Sequence, residues 1–443
     1  MKTRLSGLEL LALGFMTFAL FLGAGNIVFP PQVGVGAGTD FWPAALGFLT
    51  TAVGLPLLGI LAVARVGGGL ETLTAPLPRL AALAFGLGIY LAIGPLFALP
   101  RTGTVAFEMG MRPFVALSGS AEPPLYSLLH SLLFFGLATL LALMPGRLMD
   151  IIGKWITPLL ILLLGLIALA TLVAPQGPLG ETQAGWRAAP FTEGFRNGYL
   201  TMDTLASLVF GILIVTAIRD RGIREPRLIA RYTLGAGIIA ATCLAAVYLP
   251  LTYMGATSHE LAAQAGSGEL IPAYVAALFG PWGPVLLAAV ITLACLTTAV
   301  GLLSACGEYF HGLWPRLPYR LLVIAMGAFA TLVANQGLES LIRVSIPVLV
   351  TLYPPAIVLI LLSLIRPWLG DAPRVFAWAL SLTLAASLLD GLVATELEGL
   401  ADTARTLQRH LPLGETSFGW LLPALAGSLV GLAGGRHQRL REA

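Results

Sequence analysis

The chain has 443 residues, of which 57% are hydrophobic and 11% charged, with a formal net charge of +3. A soluble globular domain carries about 25% charged residues, so this composition excludes one and describes an integral membrane protein. The weak net charge implies no nucleic-acid partner.

Apolar stretches long enough to cross a bilayer as a helix recur along the whole chain. Twelve candidate spans fall near 8–35, 41–64, 83–109, 125–144, 155–174, 192–218, 229–253, 283–307, 320–338, 344–365, 375–394 and 418–435. No soluble domain fits between them. The longest outer loop, about 254–282, has a short helical stretch near Leu270–Phe279 that can lie over the outer face.

In the middle of the first span stands Gly23-Ala24-Gly25-Asn26, followed by Ile27, Val28, Phe29, Pro30 and Pro31. Glycine carries a large backbone entropy cost in a helix, and proline lacks an N–H and crowds the preceding turn. A helix broken inside a bilayer leaves polar backbone groups unsatisfied, which is tolerated only against protein or a wet cavity. The break at Gly23–Asn26 therefore marks a place where something polar binds. Lys2 and Arg4 ahead of an apolar run resemble a secretory signal. The run is too long for one and resumes after Gly25, so a retained first helix is expected.

Placing the N-terminus in the cytoplasm puts 18 of the 25 Lys and Arg residues on the inner side and five on the outer, with Arg101 and Arg196 inside spans. That asymmetry sets the orientation and puts both termini inside.

Ionisable groups within spans are functional candidates by default. Arg101 and Glu108 in span three lie seven residues apart and so on one helix face. They either neutralise each other, as a pair that fixes helix packing, or serve function. Span six reads Gly194-Phe195-Arg196-Asn197-Gly198-Tyr199-Leu200-Thr201-Met202-Asp203-Thr204-Leu205 before its apolar run. It mirrors span one, and interrupted spans at corresponding positions of two halves point to the binding site of a secondary transporter. Asp203 at that break is the sharper candidate, a role compatible with capping the helix that follows. Asp390 and Glu308, near the ends of spans eleven and eight, are expected to reach solvent or loop partners. In span eight, Thr297 and Thr298 either bond back to their own helix or offer hydroxyl oxygens, beside free carbonyls, to a hard cation such as Na⁺. Cys243, Cys295 and Cys306 lie in apolar spans without metal-like spacing and read as inert packing residues.

Several blocks together resemble the branched-chain amino acid carrier family, the BrnQ-type symporters. They are Gly14-Phe15-Met16-Thr17-Phe18-Ala19-Leu20-Phe21 leading into Gly23 to Pro31, Arg65-Val66-Gly67-Gly68-Gly69, and Gly94-Pro95-Leu96-Phe97-Ala98-Leu99-Pro100-Arg101-Thr102. Gly198 to Leu205, Thr298-Ala299-Val300-Gly301-Leu302 and Tyr353-Pro354-Pro355 complete the set. These blocks run from span one to span ten.

The resemblance implies the leucine-transporter fold of the amino acid–polyamine–cation group. The chain is then one all-α transmembrane domain over 1–443, with inverted five-helix repeats at about 8–174 and 192–365, broken helices in spans one and six, and accessory helices at about 375–435. In that fold the amides of Ala24, Gly25 and Asn26 would hold the substrate carboxylate. The carbonyls of Ala19 and Leu22 with the hydroxyls of Thr297 and Thr298 would hold sodium. Asp203 stands where distant relatives of the fold place an aromatic, so its role is not carried over. Candidates for contact with substrate are Gly23, Ala24, Gly25, Asn26, Tyr90, Phe97, Asp203, Thr204, Ser207 and Phe210.

The function expected is symport of leucine, isoleucine and valine into the cell, coupled to Na⁺ or H⁺, across a bacterial cytoplasmic membrane. No resident cofactor, nucleic acid or obligate protein partner is implied, and the partners are the amino acid and the bilayer. A same-fold symporter for another small substrate is the nearest alternative. A multi-pass membrane enzyme is disfavoured because no His-Glu-x-x-His helix, Gly-x-Ser-x-Gly elbow or histidine cluster is present.

Overall fold

A computed structural model describes residues 4–117, 124–144, 149–264, 269–395, 397–410, 412–414 and 418–442. Those residues form helices and connecting turns, with no strand among them. Lys2 and Arg147, counted above to the inner side, lie outside the described residues.

The first apolar stretch folds as two helices, α1 (Gly7–Phe21) and α2 (Ala24–Ala37). A capping box starts α1: Ser6 accepts from the Glu9 amide (3.2 Å) and its own amide donates to Glu9 Oε2 (2.8 Å), satisfying two end donors reciprocally. The helix ends where Leu22 turns to ψ 86° and Gly23 runs extended at φ −117°. The helix then carries on through Pro30 and Pro31, so the glycine-rich segment alone makes the break.

The second stretch is α3 (Phe41–Leu49), a π-helical turn at Thr50–Gly54, and α4 (Leu55–Val66). In the third, α5 (Arg79–Leu91) gives way to π-helical Ala92–Leu96, where Gly94 leaves helical geometry (ψ −116°), before α6 (Ala98–Val105) and a second π segment, Ala106–Met111. An added Cβ on Gly94 would sit 2.7 Å from Cys306 Sγ, so glycine lets this bend press against a neighbouring helix. Next come α7 (Pro124–Ala142), π-helical Met149–Ile156 and α8 (Thr157–Val173).

The sixth stretch is again two helices, α9 (Pro190–Tyr199) and α10 (Asp203–Asp220), bent by 44°. Between them Met202 adopts φ 66°, ψ 10°, one of two non-glycine residues at positive φ among the described residues. A left-handed residue with a side chain is a strained conformation, and such strain gathers at functional sites. There follow α11 (Pro226–Ala256), α12 (Leu270–Phe279), α13 (Gly283–Leu313), α14 (Tyr319–Ala334), α15 (Leu338–Ile365), α16 (Ala372–Val393), α17 (Glu398–Gln408) and α18 (Leu421–Glu442).

Among the described residues eight helices are long and apolar enough to cross a membrane, or nine with the bent α9–α10 pair taken as one span. The chain is thus an all-helical, multi-span membrane protein. Gly7–Phe21, Tyr319–Ala334 and Leu421–Ala433 are shorter apolar helices.

Two fastenings hold the halves of the first broken helix. On α2, an added Cβ at Gly34 would overlap the Thr252 carbonyl oxygen, and one at Gly255 the Pro31 carbonyl. The α2 and α11 backbones therefore touch through paired glycines, as small residues allow in membranes. At the N-terminal face, Arg221 reaches Glu9 (3.4 Å) and Asp150 (3.0 Å), and Lys154 joins Asp150 at 2.6 Å. That cluster ties the start of α1 to the segment before α8 and the end of α10.

Candidate functional site

The two breaks meet. Asn26 accepts the Gly23 N–H on Oδ1 (3.0 Å) and so holds the turn that opens α2. Its Nδ2 donates to Asp203 Oδ2 across the molecule (2.6 Å) and to the Tyr248 hydroxyl on α11. Tyr248 donates in turn to the same Asp203 Oδ2 (3.0 Å). Asn26, Asp203 and Tyr248 are each at most 2% exposed. One carboxylate oxygen thus gathers two donors, as a buried carboxylate requires, and a single amide links both breaks. The Asp203 N–H also bonds Thr201 Oγ1 (3.4 Å), which itself donates to the Gly198 carbonyl (2.8 Å).

Arg101 enters from α6. It is 4% exposed, its Nε and Nη1 have no hydrogen-bond partner, and its guanidinium carbon lies 5.4 Å from the centroid of the Phe29 ring. Its Nη2 lies 2.8 Å from where a Cβ on Gly25 would be, and the Leu200 carbonyl oxygen is 3.2 Å from that same point. Gly25 therefore makes room for both the guanidinium and the second break. The expected Arg101–Glu108 pair does not form. Glu108 instead accepts the Leu338 N–H at the start of α15 (3.0 Å). The π segment at Ala106–Met111 widens the helix turn and rotates Glu108 off the face that seven-residue spacing implies for a regular helix. Arg196, the other arginine in a span, pairs with Glu193 at 2.7 Å.

A narrow cavity lies at this junction. Gly23, Ala24, Gly25, Asn26, Asp203 and Phe210 line it, all singled out from the sequence. Phe21, Ile93, Ala98, Arg101, Thr102, Thr201, Met202, Ala206, Leu20 and Leu302 line it too, as does Thr298. Phe21 and Phe210 meet edge to face, centroids 5.6 Å apart, and form an aromatic wall.

The other sequence candidates face elsewhere. Tyr90 stacks on Tyr309 (3.7 Å, 4°) outside the lining. Phe97 is buried at the N-cap of α6, and its neighbour Ala98 reaches the cavity instead. Thr204 donates to the Thr51 carbonyl (3.1 Å), and Ser207 presses against Gly59, so both point toward the second stretch. On α10, Asp203, Ala206 and Phe210 face the cavity, while Ser207 stands at the edge of that face and Thr204 about a quarter-turn beyond it, both against the second stretch. Tyr248 was not foreseen, since nothing marks a tyrosine within an apolar helix as polar until its partners are seen.

Beside the cavity, Thr297 donates to the Ala19 carbonyl (2.9 Å) and to Ala294 on its own helix (2.9 Å), and Thr298 donates to Ala19 as well (3.3 Å). Three of the four oxygens expected to hold a cation thus converge. Leu22 caps α1 through its N–H to the Phe18 carbonyl (2.9 Å). Asp390, farther out, accepts from Gln408 (2.7 Å), which ends helix α17 and is not the solvent or loop partner expected.

Residues 6–438 match the family described as branched-chain amino acid transport protein. The chain is 54% identical over 423 residues to the branched-chain amino acid transport system 2 carrier protein of Pseudomonas aeruginosa, spanning 95% of this chain and 94% of that one. It is 45% identical over 426 residues to the branched-chain amino acid permease BrnQ of Escherichia coli strain K12, spanning 96% and 95%. Among solved structures, the nucleobase-cation-symport-1 family transporter Mhp1, closed with bromovinylhydantoin bound, superposes with a TM-score of 0.61 at 14% identity. That match covers 96% of this chain and 92% of Mhp1, and it shows a shared fold.

Proposed function

The chain belongs to the branched-chain amino acid transport protein family, and from that premise we propose that it carries leucine, isoleucine and valine into the cell with a coupling cation. It is a carrier and not an enzyme. The observation that bears most weight is the cavity where both breaks meet, because it offers something for each part of a zwitterion. The opening amides of α2, at Ala24, Gly25 and Asn26, have no intrahelical partner and favour a carboxylate. Asp203 takes both donors on Oδ2, and its Oδ1 suits an ammonium. Phe21, Ile93, Phe210 and Leu302 form an apolar wall for an aliphatic side chain.

The coupling cation is assigned to the carbonyl of Ala19 and the hydroxyls of Thr297 and Thr298, with Leu22 as a fourth oxygen. Oxygen ligands of this kind suit Na⁺; a proton is the alternative. The twelve apolar stretches are taken as twelve crossings. The first ten form two inverted sets of five, α16 to α18 are accessory, and both termini are cytoplasmic in a bacterial inner membrane.

The test is uptake of labelled leucine into proteoliposomes, with Na⁺ and H⁺ gradients imposed separately. Uptake driven by one gradient and inhibited by unlabelled isoleucine and valine supports the reading. No uptake under either gradient would sink it.

A further inference from the structure

The structure holds a buried arginine that no carboxylate bonds directly, although Asp203 lines the same cavity. Arg101 is 4% exposed, and Nε and Nη1 have no hydrogen-bond partner. Among the described residues it forms no ion pair, and both bonds received by Asp203, the other buried charge at the site, come from Asn26 and Tyr248. The Phe29 ring at 5.4 Å attracts a guanidinium but accepts no N–H in the plane of the fork. Removing a guanidinium from water without an anion is strongly unfavourable. The arginine also lines the cavity, and its Nη2 stands beside Gly25, the second residue of α2. Two independent sources of positive potential, the guanidinium and the opening amides of a 14-residue helix, therefore converge on one spot.

We infer that Arg101 binds the α-carboxylate of the transported amino acid, as a second anchor beside the α2 amides. This deepens the reading of a branched-chain amino acid carrier and rests on it. Arginine presents a planar fork that fits a carboxylate with two parallel hydrogen bonds. Gly25 is what lets that fork reach the backbone at the break. Bound substrate then supplies the bonded anion that Asp203, committed to Asn26 and Tyr248, does not.

The inference separates from the general reading by ligand pairs. Leucine and leucinamide share side chain and ammonium, but leucinamide lacks the carboxylate. Each is titrated as an inhibitor of labelled leucine uptake by the wild-type carrier, and as a direct ligand of purified wild type, Arg101→Gln and Arg101→Lys. Wild type should prefer leucine. Arg101→Gln should lose at least about thirtyfold in leucine affinity, the low end for removing one partner of a desolvated charge pair, while leucinamide binding changes far less. Arg101→Lys keeps the charge without the fork and should fall between. Should Arg101→Gln not insert, Arg101→Lys decides: a reduced leucine-to-leucinamide ratio supports the anchor, and an unchanged ratio overturns it. Equal loss of both ligands marks Arg101 as a scaffold residue and overturns it too. Absence of leucine uptake by wild type would instead fail the broader reading.

Discussion

Asn26→Ala is the perturbation with the widest reach, because one side chain joins three helices. It deletes the bond from the Gly23 N–H (3.0 Å), the bond to Asp203 (2.6 Å) and the bond to Tyr248. Hydrogen bonds between transmembrane helices are worth about 0.6 kcal/mol on average and up to about 1.7 at the strong end. The bond to a carboxylate belongs at the strong end and the other two near the average, so the loss is together about 3 kcal/mol. The effect should appear as a melting temperature lowered by roughly 3 °C in detergent, at a fixed scan rate. Leucine uptake should fall as well, since Asn26 fixes the turn at Gly23 and the position of Asp203. Tyr248→Phe removes a second donor to the same Oδ2. The two changes should couple, with an interaction energy of at least about 0.5 kcal/mol. Strict additivity, or an Asn26→Ala carrier that melts and transports like wild type, would refute the linked-break argument.

Gly25→Val should abolish leucine uptake while leaving membrane insertion intact, because even a Cβ there meets Arg101 Nη2 at 2.8 Å and the Leu200 carbonyl at 3.2 Å; normal uptake by inserted protein counts against the site. Thr298→Val keeps the volume and loses the oxygen, so the sodium concentration for half-maximal uptake should rise severalfold. An unchanged sodium curve for both Thr298→Val and Thr298→Ala removes the cation assignment, and independence from sodium in wild type points to a proton. Asp203→Asn should still fold, since the asparagine oxygen can accept from Asn26 and Tyr248. It should weaken leucine affinity about tenfold or more by losing charge against the ammonium, or detach uptake from the proton gradient. Wild-type affinity and pH profile in Asp203→Asn would leave the residue as a structural acceptor for Asn26 and Tyr248; the capping role expected of it falls to no side chain, since Met202 stands at the N-cap of α10.

Much of this was written plainly in the chain. Two glycines ahead of Asn26 announce a break inside an apolar run, and the polar cluster before Asp203 announces the second, because each violates what a membrane helix tolerates. The convergence of Thr297, Thr298 and Ala19 followed from family resemblance rather than from spacing. What stayed hidden depends on helix rotation. The Arg101–Glu108 spacing suggests a pair only if span three is regular, and the π segment at Ala106–Met111 undoes that phase. Thr204 and Ser207 sit beside Asp203 in sequence, yet the helix turns them far enough aside to meet Thr51 and Gly59 instead of the cavity. Tyr90 and Tyr248 look alike as tyrosines in apolar spans; one stacks on Tyr309 and the other holds the carboxylate.

The two fastenings of the first broken helix respond to different variables. The glycine contact between α2 and α11 is steric and indifferent to the bathing solution. The Arg221 cluster is electrostatic and partly wet, with Arg221 24% and Asp150 50% exposed. Mobile ions shorten the reach of such a cluster, from about 8 Å at physiological ionic strength to about 3 Å at 1 M. Salt on the N-terminal face therefore acts as a throttle on α1 and leaves α2 untouched. The hold on α1 becomes a property shared between the protein and its electrolyte, while the hold on α2 belongs to the protein alone.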